Sequence, residues 1–304
     1  MPVPDPATVP QSPASSPTGR VPCELKGLWR RTLLTAPGAP ADTTTHVSWL
    51  QGRRCYADLR QPAGFAHAPR TRGLTDLTRA QLACLARQEA FAGELSHEGD
   101  VCHWHHSVDL QPPAAFPDSG RVRTENGLLV EEGVHETYTE HWRREISPGI
   151  AAVTESPHDA AAPTGAPLAG ALLHEPETGR AGVLVRAGPW FAYARGRNPL
   201  THLPAGASLA ELVAGAASVH DARRLLDCEV SLGRVRESGW HLSRSTLPGR
   251  TGRRFMAWAS GSDGLHVSDL ASDGTPVTRS WRITGADGPL SRLLPHSGTR
   301  GGPS

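Results

Sequence analysis

The feature that most constrains this chain is one order of turns, helix and strands that occurs twice. Gly239-Trp240-His241 echoes His103-Trp104-His105 at a separation of 136 residues (240 − 104). Gly188 stands at the same distance from Gly52 (188 − 52). Thr78 with Gln81, and Ser208 with Glu211, each have capping-box spacing, in which the first side chain takes the N3 amide and the second reaches back. Asp263-Gly264-Leu265 answers Asn126-Gly127-Leu128, and Trp281 answers Trp142, each Trp followed by Arg. We read one β-rich unit used twice, and 304 residues suit two domains of ordinary size.

Local patterns fill in the units. Gly27-Leu28-Trp29 opens a strand-like run that ends at Leu34. Residues 43–51, TTTHVSWLQ, are β-branched and aromatic, and 55–60, CYADLR, alternate apolar and polar side chains as the return strand of a hairpin. The helix that starts at Thr78 places Leu82, Leu85 and Ala86 on one face, with Gly93 expected to close it in a left-handed C′ conformation. Strands are expected over 94–98, 101–110, 119–124, 127–132 and 136–144, with Asn126-Gly127 as a hairpin turn. Eight antiparallel strands can close into a barrel and so remove unpaired edges. The expected layout is a disordered tail over 1–22, a first barrel over 23–147, a linker over 148–166, a second barrel over 167–284 and a loose tail over 285–304. Each barrel is expected to carry one short α-helix.

Composition excludes several classes. The formal net charge is +1, without the basic excess that nucleic acid demands. Lys26 is the only Lys, so the cations are almost all Arg. Five cysteines, Cys23, Cys55, Cys84, Cys102 and Cys228, form no CxxC pair, and their odd number suits reduced thiols in a cytoplasm. No apolar run approaches the ~20 residues of a membrane span, and the N-terminus has no signal-peptide pattern. No Ser or Cys nucleophile signature and no cofactor motif is present: GxSxG, the P-loop and GxGxxG are all missing.

Phe91-Ala92-Gly93, Val130-Glu131-Glu132-Gly133, Glu140-x-Trp142 and the segment 183–196 resemble a family of fungal proteins known mainly as interactors of a casein kinase I, with uncharacterised bacterial relatives. The resemblance spans about residues 25–285. It implies two consecutive calycin-like barrels, similar in shape to lipocalins. Gly27-x-Trp29 resembles the first-strand signature of lipocalins, whose Trp plugs one barrel end; Gly170-Ala171-Leu172 lacks that Trp. The family transfers no catalytic residue, and its kinase partnership belongs to the fungal setting.

Alternation along 101–110 would point Cys102, Trp104, His106, Val108 and Leu110 into the barrel, and Val101, His103, His105, Ser107 and Asp109 outward. His103 and His105 could hold a metal with His141 or Glu140, or could form a plain polar face. Glu136, Tyr138, Glu140 and Trp142 share a face; a carboxylate there could act as acid or base, or pair with Arg30, Arg60 or Arg143. Asp58 and Arg60 could point into a barrel mouth. The leading functional reading is a non-enzymatic protein that binds a small, mostly apolar molecule in the first barrel, lined by Trp29, Trp49, Trp104, His106, Tyr138, Glu140 and Trp142. The alternatives are a barrel enzyme (isomerase, cyclase or metal-assisted hydrolase) using His106 and Glu140, and an interaction module with filled barrels.

Overall fold

Eight strands in sequence order close into a barrel, and then eight more do the same. The computed structural model describes residues 21–67, 70–145 and 167–294. The first barrel is built from β1 (Gly27–Thr35), β2 (His46–Gln51), β3 (Cys55–Gln61), β4 (Glu89–Glu98), β5 (Val101–Asp109), β6 (Ser119–Glu125), β7 (Leu128–Gly133) and β8 (Thr139–Arg144). The second is built from β9 (Leu168–His174), β10 (Ala181–Ala187), β11 (Trp190–Arg195), β12 (Glu229–Arg236), β13 (Gly239–Ser245), β14 (Arg254–Ser260), β15 (Gly264–Leu270) and β16 (Pro276–Asp287). Every pairing is antiparallel; β8 closes on β1 and β16 on β9. The expected two-barrel architecture and the duplication are both present. The expected tail over 1–22 and the linker over 148–166 fall almost wholly outside the described residues.

Among the described residues, three short α-helices pack against the strands. α1 (Arg79–Leu85) begins at the Thr78–Gln81 capping box, with both reciprocal bonds formed. α2 (Leu209–Gly215) starts at Ser208, whose hydroxyl accepts from the Glu211 amide. The second unit adds a helix that the expectation of one per barrel lacked: α3 (Val219–Leu226), capped by Ser218, which accepts from the Asp221 amide. Gly93 is not the end of α1. That helix stops at Leu85, and Gly93 lies inside β4 at a β-bulge opposite His106. A Cβ at Gly93 would come 1.8 Å from the His105 carbonyl oxygen, so the close strand approach requires glycine.

That bulge inserts one extra residue into β5 and reverses its alternation. Cys102, Trp104 and His106 face the barrel interior as expected. Val108 and Leu110 do not; they turn outward into a second apolar cluster, and Asp109 turns inward to meet His106. The outward cluster joins Leu50, Ala57, Leu59 and Ala92 of the first barrel to Val183, Val185, Ala192, Ala194 and Val230 of the second, with apolar residues of all three helices. It is the seam between the barrels. Strands buried on both faces, inside the barrel and against the seam, explain why β3 is buried at nearly every position.

The seam has an internal two-fold logic. Gln61 Nε2 donates to the Ser245 carbonyl at 3.0 Å, and Arg197 Nη1 donates to the Asp109 carbonyl at 3.0 Å. Each partner lies 136 residues from its counterpart (197 − 61 and 245 − 109), the exchange that an isologous contact between two copies would make. β16 continues past the expected boundary at 284 to Asp287, whose Oδ2 accepts from the Arg54 and Cys55 amides at 2.6 and 2.9 Å. No helix among the described residues is long and apolar enough to cross a membrane.

Candidate functional site

Inside the first barrel, Trp29, Trp49, Trp104 and Trp142 pack on one another. Trp49 is at the centre, with ring centroids 6.3 Å from Trp29 and 5.7 Å from both Trp104 and Trp142. The two edge-to-face contacts suit the aromatic quadrupole. Trp29 donates from Nε1 to the Leu25 carbonyl at 2.7 Å, and the Arg144 guanidinium lies over its ring.

Beyond the tryptophans the interior becomes polar. β3 points Tyr56, Asp58 and Arg60 inward, and β7 and β8 set Glu131 directly opposite Glu140. Glu131 accepts from Tyr138 Oη at 2.9 Å and from Trp142 Nε1 at 3.1 Å. Glu140 is held by Arg31 at 2.6 Å and approached by Arg60 at 3.6 Å. Arg60 also bonds Asp58 at 3.0 Å and lies over the Phe91 ring. The ion pair expected from Arg60 is therefore present, with Arg31 as the closer partner, and Arg30 pairs with Glu145 instead.

His106 sits at the rim, as an exposed residue whose side chain is only 24 % exposed. Its ring stacks on Phe91 at 4.2 Å and lies between Asp109 (Nδ1, 2.7 Å) and Asp118 (Nε2, 3.0 Å). Burial acts to lower its pKa, but the hydrogen bonds to the two carboxylates outweigh it and hold the ring at about 9. Burial pushes the Asp58 carboxyl up to about 6 despite Arg60. Burial, followed by the charges of Glu140 and Asp118, lifts Glu131 well above the usual carboxylate range. Glu140 Oε2 and Tyr56 Oη are buried without a hydrogen-bond partner among the described residues.

The space left among Trp49, Asp58, Arg60, Phe91, Asp118 and Glu131 is a cavity of only ≈ 10 Å³. That is about the room of one water, far below the ~300 Å³ at which small-molecule pockets begin. Of the seven residues expected to line a pocket, Trp49, Trp104 and Trp142 border this cavity, whereas Trp29, His106, Tyr138 and Glu140 are not part of its lining. Glu136 is exposed in the turn before β8 rather than on the inward face. His103 and His105 bond Ser119 and Ser96, each at 2.8 Å, and no cluster of three metal-ligating side chains exists among the described residues.

The matching end of the second barrel is solved differently. Arg195, fully buried, reaches Asp227 at 2.9 Å, Asp269 at 3.3 Å and Glu229 at 3.9 Å. Arg250 bonds Glu229 and Asp269, and Arg279 joins Asp269 to Glu175. The residual cavity there is ≈ 20 Å³.

Sequence reasoning missed Arg31, Phe91 and Asp118. Phe91 follows the bulge register, Arg31 shares the inward parity of Trp29, and Asp118 lies in a loop where no periodicity applies.

No family model matches the chain, and no curated protein matches it. Among solved structures it is similar to an uncharacterised protein, YLR301w, from Saccharomyces cerevisiae. That likeness has 12 % identity and a TM-score of 0.45, and covers 86 % of this chain and 98 % of the other.

Proposed function

We propose that this protein is a non-enzymatic interaction module: two filled barrels locked face to face as one body that offers its outer surface to a partner protein in a reducing cytoplasm. The observation that carries this reading is the filling of both interiors, with cavities of ≈ 10 and ≈ 20 Å³. A carrier of apolar molecules needs a hollow barrel. The acid–base alternative also loses ground. His106 holds its proton near neutral pH and gives both ring nitrogens to carboxylates, so it is not a free base. The resemblance to fungal casein-kinase-I interactors agrees with a protein partner of some kind. The four cysteines with described side chains are unpaired, which suits reducing conditions.

Native mass spectrometry of the purified chain, with a titration of a fluorescent fatty acid, tests this reading. The expected result is the bare chain mass and no saturable binding. A retained apolar molecule, or one-to-one uptake of the fatty acid, would overturn it.

A second reading has one specific support: Glu140 Oε2 and Tyr56 Oη are unpartnered beside a carboxylate-rich interior. The same mass spectra, recorded with sodium present, would show a one-to-one adduct lost in Glu140→Gln if a water-sized cation binds there.

A further inference from the structure

The outer face of the second barrel carries cations that its interior network does not use, and we propose that it docks an acidic peptide segment of a partner protein. This rests on the interaction reading above and narrows it to one face and one chemistry. Trp190, Arg234, His241 and Arg254 are direct cross-strand neighbours on β11, β12, β13 and β14. Their inward-facing neighbours Phe191, Trp240 and Phe255 belong to the barrel core, which sets this row on the outside. At a strand spacing of about 4.8 Å the row spans roughly 14 Å. The Arg234 guanidinium lies 4.7 Å above the Trp190 ring. Arg236 and Arg253 are exposed around the row, and Arg282 is exposed two strands away on β16.

No carboxylate lies within ion-pair distance of Arg236, Arg253, Arg254 or Arg282 among the described residues. The carboxylates nearest in sequence, Glu237 and Asp263, sit in the flanking turns. Along β14, Met256 and Trp258 continue the same outer face, 48 % and 38 % exposed. Trp258 packs 5.5 Å from His266 on β15. Arginine, Trp and Met side by side are the residue types enriched where proteins meet.

The duplication supplies an internal control. In the first barrel the counterparts of the row are Cys55, Glu94 and His105, with Glu94 paired to Arg54, and further along β6 Arg121 pairs with Asp100 and Arg123 with Glu132. Those arginines are paired, whereas Arg236, Arg253 and Arg254 have no carboxylate partner among the described residues. A short acidic segment with an apolar residue matches a cationic row beside Met256 and Trp258. A nucleic acid would need a longer track of phosphate contacts than this row offers.

Fluorescence anisotropy on the full chain tests the proposal, using labelled peptides of about twelve residues: Asp/Glu-rich with one Leu, the Asn/Gln counterpart, and a single-stranded DNA of similar length. The acidic peptide should bind about tenfold more tightly than either control and weaken as salt rises from about 50 to about 200 mM. Arg254→Glu and Arg236→Glu should each weaken it about tenfold, and Met256→Ser severalfold, whereas Arg121→Glu should change nothing. Thermal melts confirm that each variant is folded, and two separate arginines guard against loss of one. Equal binding of the acidic and Asn/Gln peptides, tighter binding of DNA, or indifference to both arginine changes would overturn the proposal. That failure would leave the interaction reading intact, because that reading stands or falls on the apolar-ligand measurements.

Discussion

Leu242 stands in the second barrel where His106 stands in the first. Each is the residue that follows the register shift on its strand pair, opposite a glycine: Gly93 for His106, Gly233 for Leu242. The glycines serve the same need, since a Cβ at Gly233 would meet the Phe191 ring at 2.3 Å and the His241 carbonyl at 2.6 Å. One inherited bulge therefore aims two different side chains inward. Leu242 adds to an apolar core, while His106 bridges two carboxylates.

Replacing His106 by Leu should copy the second barrel's solution into the wrong surroundings. Asp109 and Asp118 would lose their shared cation. The folded pKa of His106 is raised, so its contribution is complete below its unfolded value near 6.5 and fades as pH rises through about 9. His106→Leu should thus cost about 2 kcal/mol at pH 6, discounted for the partly exposed ring, and almost nothing at pH 10. Urea denaturation at the two pH values measures this. An equal cost at both would refute the imidazolium bridge.

Glu131 makes the opposite case. Its carboxyl is raised chiefly by burial, so its ionisation opposes folding as pH climbs above the usual carboxylate range. Glu131→Gln removes that burden. The Gln carbonyl can still accept from Trp142, and its amide can donate to Tyr138, so both contacts survive. The variant should be more stable than the parent by about 1 kcal/mol at pH 8, with the gain shrinking by pH 4.5. Paired thermal melts across that range decide it.

Much of this architecture was legible. Sixteen strands and the repeat follow from alternation and turn residues, which depend only on neighbours in sequence. The capped helices at Thr78 and Ser208 are readable for the same reason, and Ser218 with Asp221 carries a similar local signal for α3. What failed was the distinction between two kinds of apolar face. Val108 and Leu110 are apolar because they face the seam, and alternation cannot tell a barrel interior from an outer face covered by another domain. Gly93 was ambiguous because a glycine after a helical pattern also serves a bulge. Whether a ring of tryptophans lines a cavity or fills it is a question of volume, and one-dimensional pattern has no access to it.

Chemistry at the two barrel ends gives the halves contrasting pH responses. In the first, Asp58, Glu131 and His106 all have raised values, so their contributions are lost with rising pH, through about 6 for Asp58 and about 9 for His106. In the second, burial acts to raise Asp227 and Asp269, but Arg195 and its neighbours outweigh it and hold both below the usual range. Their contribution is present above about pH 4 and lost as acid protonates them. Asp42 in the first barrel behaves like these two, but it lies near the surface, where screening reduces its weight. Limited proteolysis read by mass spectrometry should find the earliest cuts in the second barrel with pepsin near pH 3 and in the first with subtilisin near pH 10. The same order of cutting at both extremes would contradict the assignment.

The seam makes a prediction about the chain as a whole. It buries Val, Leu and Ala side chains from both barrels and all three helices, and each fully buried Val or Leu contributes about 1.5–3 kcal/mol relative to exposure. Polar groups also bridge it: Gln88 Nε2 donates to the Thr246 carbonyl at 3.0 Å, and Arg223 bonds the Leu74 and Thr75 carbonyls. An interface of that kind resembles a domain core more than a contact between separable domains. A chain with a protease site introduced between Glu145 and Pro167 should, after complete cleavage, still elute as one particle and melt in one transition. Adding Arg197→Ala should lower the melting temperature of the cut form more than that of the intact chain. It strips the donor from the Asp109 and Leu110 carbonyls and removes a contact on which the cut halves alone rely to stay together. Two independent peaks, or halves that melt apart in the absence of Arg197→Ala, would mean that the barrels are merely neighbours.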